Sequence, residues 1–310
     1  MELRVLRYFL AVAREESITA AADSLHVTQP TLSKQLKELE DELGKQLFIR
    51  GNRKITLTEE GLFLRKRAQE IVDLTDKTEN DFLKPDELVS GDVYIGGGET
   101  DAMRLIARTA KGLREDYPHI HYYLYSGNAD DVSERLDKGL LDFGILIEPA
   151  DIKKYDYLRL PASDTWGLLM QKDSPLASHE FISPGDLMDI PLLCSRQTSV
   201  HNEFSGWVGK SFETLNIVAN YNLIYNASLM VDEGMGYAFT LDKLVNTTGS
   251  SLCFRPLEPE LKLGMYLVWK KSWIFSRAAE LFLEELRKQL EPAQVQSFGQ
   301  GQSKTRNSRC

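Results

Sequence analysis

Apolar positions at the start of the chain recur at helical spacing. Leu3, Leu6, Phe9, Leu10 and Ala13 fall on one side of a helix over residues 3–15. Ser17 follows as an N-cap for a short helix through Leu25, whose Ala20, Ala21 and Ala22 let another helix approach closely. Thr28 caps a third helix, with Pro30 in its first turn, where a missing N–H costs nothing. That helix runs to about Leu43 and stops at Gly44. Leu32, Leu36, Leu39 and Leu43 make a narrow apolar stripe, with Pro30, Lys34 and Lys37 opposite and Ser33 on the shoulder. One face is core, and the other is short, polar and basic.

The period then shortens to that of strands. Leu47-Phe48-Ile49 and Ile55-Thr56-Leu57 read as two short strands joined by Arg50-Gly51-Asn52-Arg53-Lys54, a basic β-wing. Thr58-Glu59-Glu60-Gly61 opens a long helix to about Leu83, ending before Pro85. Leu57, Gly61, Leu64, Ala68, Ile71, Thr75, Thr78 and Phe82 recur along it as a heptad seam with two threonines. The seam suits either a strut between domains or a pairing surface. Pro85 to Ser90 reads as a hinge.

From Gly91 strands and helices alternate. Val93–Ile95, Ile120–Tyr125 and Phe143–Ile147 read as strands, with helices over Met103–Tyr117 and Asp130–Lys138 between them. This βαβαβ order predicts a mostly parallel sheet covered on both faces. A second set follows: strands at Trp166–Gln171, Leu192–Cys194, Ile217–Tyr221, Tyr237–Phe239 and Leu263–Trp269. Helices are predicted near Glu203–Phe212, from Asn226 to Glu233, and over Arg277–Leu290. Residues after Pro292 read as a disordered tail.

Composition changes this picture little. The 310 residues suit two domains and a connector, and no segment approaches the ~18 apolar residues of a membrane span. Cys194, Cys253 and Cys310 form neither a metal-ligand spacing nor a disulfide framework, which points to a reducing cytoplasm. The formal net charge of −9 argues against general affinity for nucleic acid. The stretch from Lys45 to Leu57 nevertheless carries Lys45, Arg50, Arg53 and Lys54 and no acid. Local, salt-sensitive DNA contact is compatible with that.

Taken together, these motifs resemble the LysR-type transcriptional regulators. The resemblance is carried by Ser17 to Leu25, by Val27-Thr28-Gln29-Pro30-Thr31-Leu32-Ser33 and by Leu39-Glu40-Asp41-Glu42-Leu43-Gly44. Leu47 to Arg50 and Leu57-Thr58-Glu59-Glu60-Gly61 extend it. A looser likeness covers Gly91 to about Leu290, including Tyr117-Pro118, Gly139 to Phe143 and Gly234-Met235-Gly236-Tyr237-Ala238. Two positions depart from the family pattern. Lys34 stands where arginine is usual, and Thr240-Leu241-Asp242 where proline commonly follows the strand.

The resemblance implies an α+β multidomain chain. It would comprise a winged helix-turn-helix over residues 1–60, a linker and dimerisation helix with hinge over 61–90, and a two-lobed α/β effector domain over 91–290. The last would resemble periplasmic binding proteins, with a disordered tail over 291–310. It implies that Thr28, Gln29, Pro30, Thr31, Ser33, Lys34 and Lys37 meet the major groove of a double-stranded DNA operator, and that Arg50, Arg53 and Lys54 contact its backbone or minor groove. It further implies a homodimer through the linker helix, a homotetramer, and RNA polymerase as a further partner. No cofactor and no membrane contact are expected.

In open parallel sheets, ligands bind beyond the carboxyl ends of strands. The resemblance places a small-molecule effector there, near Gly98, Glu99, Thr100, Asp101, Ser126, Asn128 and Glu148, with Ser195 and Gln197 from the second lobe. Glu99, Asp101 and Glu148 make that rim acidic. They would either select a cationic or neutral effector, or cap helices and face water.

Two other function classes are weighed against this reading. An enzyme is disfavoured, because none of His26, His119, His121, His179 and His201 stands in a catalytic motif. Gly96-Gly97-Gly98 lacks the spacing of a nucleotide-binding loop. An exported solute-binding protein would leave the first 90 residues unexplained.

Overall fold

The computed structural model describes residues 1–51, 54–82, 89–148, 150–195, 204–209 and 214–299, with Arg50, Asn80, Asp81, Ala162, Ser163, Lys262 and residues 291–299 given by their backbone alone. The chain divides into two compact units, Met1–Leu83 and Lys84–Cys310.

The first unit holds α1 (Leu3–Glu15), α2 (Ile18–Ser24), α3 (Gln29–Leu43), β1 (Phe48–Arg50), β2 (Ile55–Leu57) and α4 (Glu59–Phe82). Its helix ends are those the caps predict. The Ser17 hydroxyl accepts the Ala20 N–H at 3.3 Å, and that of Thr28 accepts the Thr31 N–H at 3.4 Å. Gly44 closes α3 at φ +63°, a left-handed conformation that costs a residue without Cβ little.

The core of this unit is built on Leu6, Phe9, Val12, Ala21, Ala22, Leu32, Leu36, Leu39, Leu47 and Phe48. The buried face of α1 is centred on Val5, Leu6, Phe9 and Val12, while Leu3, Leu10 and Ala13 are half-buried and Ala20 is exposed. The face is rotated from the expected one because α1 is packed by α2, α3 and α4 at once. Leu43, predicted to extend the stripe of α3, is 40% exposed; the core ends at Leu39.

The two strands pair antiparallel, Phe48 opposite Leu57 and Arg50 opposite Ile55. The wing is anchored at its base: the Ile55 N–H donates to the Glu16 carbonyl at 2.9 Å. The Glu40 carboxylate accepts the N–H groups of Leu47 and Phe48 at 2.7 and 3.2 Å. A Cβ at Gly61 would lie 2.2 Å from the Leu47 carbonyl oxygen, so α4 crosses the entry to β1 at a distance only glycine permits.

The predicted seam of α4 is divided in use. Gly61, Leu64 and Ala68, with Val72, are buried inside the unit. Ile71, Thr78 and Phe82 of the seam are exposed, Phe82 at 85%, Thr75 is half-buried, and Leu74 outside the seam is exposed beside them. A straight helix drifts about 20° per heptad, which carries a stripe begun against α1 away from it. The Thr75 and Thr78 hydroxyls donate to the Ile71 and Leu74 carbonyls at 2.8 Å each.

In the second unit, β3 (Ser90–Gly97), α5 (Met103–Asp116), β4 (His119–Ser126), α6 (Ala129–Asp137) and β5 (Phe143–Ile147) come first. Then follow β6 (Tyr155–Gln171), β7 (Leu192–Ser195), β8 (Ile217–Tyr221), α7 (Ile224–Asp232) and β9 (Tyr237–Leu241). Last come β10 (Leu252–Pro256), β11 (Lys262–Lys270) and α8 (Arg277–Gly299). The first lobe has strand order β4-β3-β5-β11-β6, and the second β6-β9-β7-β8 with β10 on the side of β6. β3, β4 and β5 are parallel, as are β8, β7 and β9. Phe143, Leu267 and Phe282 are at the centre of the first lobe, and Phe204, Phe239 and Trp166 at that of the second.

Several elements differ from their expected form. β6 is one 17-residue strand shared by both lobes, where only Trp166–Gln171 was expected. The part before Trp166 carries Asp156, Arg159, Pro161 and Asp164, which hide the strand pattern. Arg255 and Pro256 likewise conceal β10. Ser90 begins β3 rather than ending a hinge, and residues 83–88 lie outside the described ones. Of the helix expected near Glu203–Phe212, residues 204–208 are helical. α8 continues to Gly299, so residues 291–299 of the expected disordered tail are helical, and residues 300–310 lie outside the described ones. Pro292 removes one N–H from that helix without ending it, and Ala293 to Gln296 are acceptable helix residues.

Candidate nucleic-acid interface and ligand cleft

The outer face of α3 is a polar row over a buried one. Thr28, Gln29, Pro30, Thr31, Lys34 and Lys37 are exposed and Ser33 half-buried, while Leu32 and Leu36 anchor the helix from behind. The Thr28 and Thr31 hydroxyls lie 2.8 Å apart in a hydrogen bond that stiffens the first turn. No acid occurs on α3 before Glu38, so the positive end of the helix dipole is unopposed there. Lys34 Nζ lies 3.7 Å from Glu38, an exposed pair that phosphate or a base edge can displace at little cost.

On the wing, Lys54 Nζ meets Glu16 at 3.1 Å, again at the surface. The Gly51 N–H donates to the Lys54 carbonyl at 3.0 Å and closes the turn. Arg53 lies outside the described residues, and Arg50 takes its place at the end of β1.

In the second unit, the carboxyl ends of β3, β4 and β5 face those of β7, β8 and β9 across a cleft. A cavity of about 90 Å³ lies there, lined by Gly98, Glu99, Asn128, Ser195, Tyr221 and Thr240 among others. Gly98, Glu99, Asn128 and Ser195 are thereby brought together as expected. Thr100, Asp101 and Ser126 line an adjoining hollow with Arg104, Tyr125 and Lys243. Thr100 is buried, its Oγ1 lying 2.9 Å from Met265 Sδ and accepting the Ala102 N–H at 3.1 Å, so its single proton is shared between Met265 and the Asp164 carboxyl. Its hydroxyl serves the fold rather than the cavity. Gln197 lies outside the described residues.

The three acids of the expected rim are engaged. Asp101 holds Arg104 at 2.7 Å. Glu148 lines neither hollow; it accepts the Tyr266 hydroxyl and, at 2.9 Å, the Gly264 N–H. The Tyr266 bond above all, then the Gly264 N–H and the charge of Arg159, hold the Glu148 carboxyl below its ordinary range against desolvation. Glu99 alone faces the cavity, and its Oε2 accepts the Ile224 N–H of the opposite lobe at 2.5 Å. Helix capping therefore accounts for Glu99, as one of the two alternatives had it, but the cap spans the cleft.

Sequence reasoning missed Tyr221, Thr240 and Asp164. The Tyr221 phenol donates to the Phe239 carbonyl at 2.6 Å, and burial raises its pKa far above the usual value. Thr240 stands one residue before Leu241-Asp242, in the segment where the family pattern has proline. There the Asp242 carboxylate accepts the Thr165 N–H at 3.0 Å and fastens the loop to β6. Asp164, on the shared strand, is 1% exposed, with Oδ2 lacking a partner among the described residues. Desolvation raises its pKa, opposed by the Thr100 hydroxyl and Asp101 N–H. The Cys194 thiol, 1% exposed, is pushed by burial up to about 12.

Residues 3–76 match the family described as bacterial regulatory helix-turn-helix protein, lysR family, and residues 86–291 match the LysR substrate binding domain. The chain belongs to the LysR family of transcriptional regulators. It is thus a DNA-binding regulator whose second unit is the family's effector-binding domain, and the family's members are regulators rather than enzymes. It is 28% identical to the Hca operon transcriptional activator HcaR of Escherichia coli strain K12 over 279 residues, 88% of this chain and 93% of that protein. To the hydrogen peroxide-inducible genes activator of Pectobacterium carotovorum subsp. carotovorum it is 33% identical over 195 residues, 62% of this chain and 64% of that one. The fold matches full-length CbnR solved with its target DNA at TM-score 0.73 and 18% identity, covering 93% of this chain and 99% of CbnR. Among the described residues, no helix of this LysR-family regulator is long and apolar enough to cross a membrane.

Proposed function

We propose that the regulator reads its operator with Thr28 to Lys37 of α3. Gln29 and Lys34 would contact base edges in the major groove, Pro30, Thr31 and Ser33 would allow close approach, and Arg50, Arg53 and Lys54 would grip the backbone. The observation that carries this reading is the exposed polar row on the capped, acid-free first half of α3, held from behind by Leu32 and Leu36. Short side chains there allow close approach to the groove, and exposed lysines supply salt-dependent phosphate affinity.

Two copies pair through the outer side of α4, placing two recognition helices on a pseudopalindrome. The exposed Ile71, Leu74 and Phe82 support this, and so do the threonine hydroxyls, already satisfied within the helix and costing little to cover. A tetramer of two such dimers is the working assembly, acting in the cytoplasm without a cofactor and without catalysis. HcaR is by name an activator, which makes RNA polymerase the natural further partner.

The effector is a small molecule bound between the lobes, and it acts by favouring one arrangement of the assembly over another. A peroxide response through Cys194 is disfavoured, since a reactive cysteine needs an accessible thiolate and this thiol is buried and protonated.

Selection of DNA fragments by the full-length protein, followed by footprinting at several salt concentrations, tests the reading. A twofold-symmetric site whose affinity falls steeply with salt is expected. Failure to enrich any site at any salt would make the α3 row a surface for something other than DNA.

A further inference from the structure

Helix α7 begins without a cap of its own. Its N-cap residue is Leu223, whose side chain carries no acceptor, and its first turn holds no acid. This is why a start at Asn226 was expected two residues downstream of the true one, Ile224. The acceptor arrives from the other lobe: Glu99, just beyond β3, takes the Ile224 N–H across 125 residues of sequence. Free N–H groups and the aligned peptide dipoles draw a carboxylate to such a helix end. Glu99 lines the cavity beside Asn128, Ser195 and Thr240, and its charge is felt by the phenol of the half-buried Tyr221. A carboxylate thus already occupies the anion seat of the cleft, and it belongs to the protein.

We propose that Glu99 is a tethered carboxylate ligand: it fills the seat at the start of α7, latches the two lobes together, and leaves the cavity beside it to an uncharged or cationic small molecule rather than to a carboxylate. The latch is a property of the second unit alone. What it says about the free ligand rests on the reading of the cleft as the effector site.

Trp166, Trp207, Trp269 and Trp273 are the only tryptophans of the chain, and all lie in the second unit, so tryptophan fluorescence of the full-length protein reports its melting. Glu99→Ala is expected to melt about 2–6 °C below wild type. Sodium acetate, against sodium chloride of equal strength, should recover part of that loss by refilling the seat, while the wild-type transition stays in place. Glu99→Gln, which keeps the length without the charge, should melt between the two and ignore acetate.

A Glu99→Ala protein that melts with wild type, or that acetate leaves unmoved, would overturn the latch. A wild-type transition raised by acetate or benzoate would overturn the exclusion of carboxylates. If Glu99→Ala aggregates, a Glu99→Gln protein as stable as wild type overturns the latch by itself. DNA selection reads the regulator's role separately, so failure there and failure of the acetate rescue are distinguishable.

Discussion

The start of α3 and the start of α7 are helix ends built in opposite ways. α3 is capped by Thr28, the residue before it, and its working residues follow within nine positions. α7 has no local cap and takes Glu99 from the opposite lobe. A site made of neighbours in sequence keeps its function when the rest of the chain moves. A site made of distant residues exists only when the lobes are placed, and can therefore report their placement. The first arrangement suits a fixed reading head and the second a sensor.

The largest expected effect separates the two units. Gly61→Val forces a Cβ into the 2.2 Å gap to the Leu47 carbonyl and should destabilise the first unit by about 3 kcal/mol or more. Far-ultraviolet circular dichroism should lose an early transition while tryptophan fluorescence keeps its own. A shared shift of both would mean that the two units unfold together.

Next in size is the pairing surface. Leu74→Asp combined with Phe82→Asp changes residues exposed in the single chain, so the monomer should stay folded. Sedimentation should show dissociation, and operator affinity should fall about 100-fold as the avidity of two linked heads is lost. An intact dimer would return α4 to the role of a strut.

Thr28→Ala tests the local cap and should cost about 1 kcal/mol in the first unit, with weaker operator binding and an unaltered second unit. The smallest effect tests the shared strand. The pKa of Asp164 is raised in the fold, so folding favours its protonated form. Its contribution to stability is full below the ordinary carboxylate range and is lost as pH rises through the folded pKa. Asp164→Asn stays uncharged at every pH. It should raise the fluorescence melting temperature at neutral pH, by a margin that shrinks as acid protonates wild type. A margin independent of pH would assign the gain to something other than charge.

The same contrast explains what could be read in the sequence. The caps, the stripe of α3, the wing strands and the βαβαβ order were legible because each is set within a few residues. Leu43 and the outer half of α4 were misplaced because periodicity shows that a stripe exists, not where its neighbour ends. β6 was half missed because its charged residues serve neighbours far along the chain, as Asp164 does with Thr100 and Asp101. The cleft was located from strand ends, which is why Gly98, Glu99, Asn128 and Ser195 fall on the cavity wall. Tyr221 carries no signal except the strand it finishes, and Thr240 only its place in the segment that departs from the family pattern. Thr100 was placed beside the ligand from its position after β3; it lines the adjoining hollow, and its contacts with Met265 and Ala102 carried no signal in the sequence.

Whether the exposed row of α3 reads base sequence shows in how Gln29 discriminates among operator variants. Binding of wild type and Gln29→Ala to every single-base variant of the selected operator should be compared at one fixed salt concentration. The account predicts that Gln29→Ala loses about 1–3 kcal/mol of discrimination at one position in each half-site and keeps its preferences elsewhere. Uniform weakening across all variants would place Gln29 on the backbone, and unchanged binding would take α3 out of the groove.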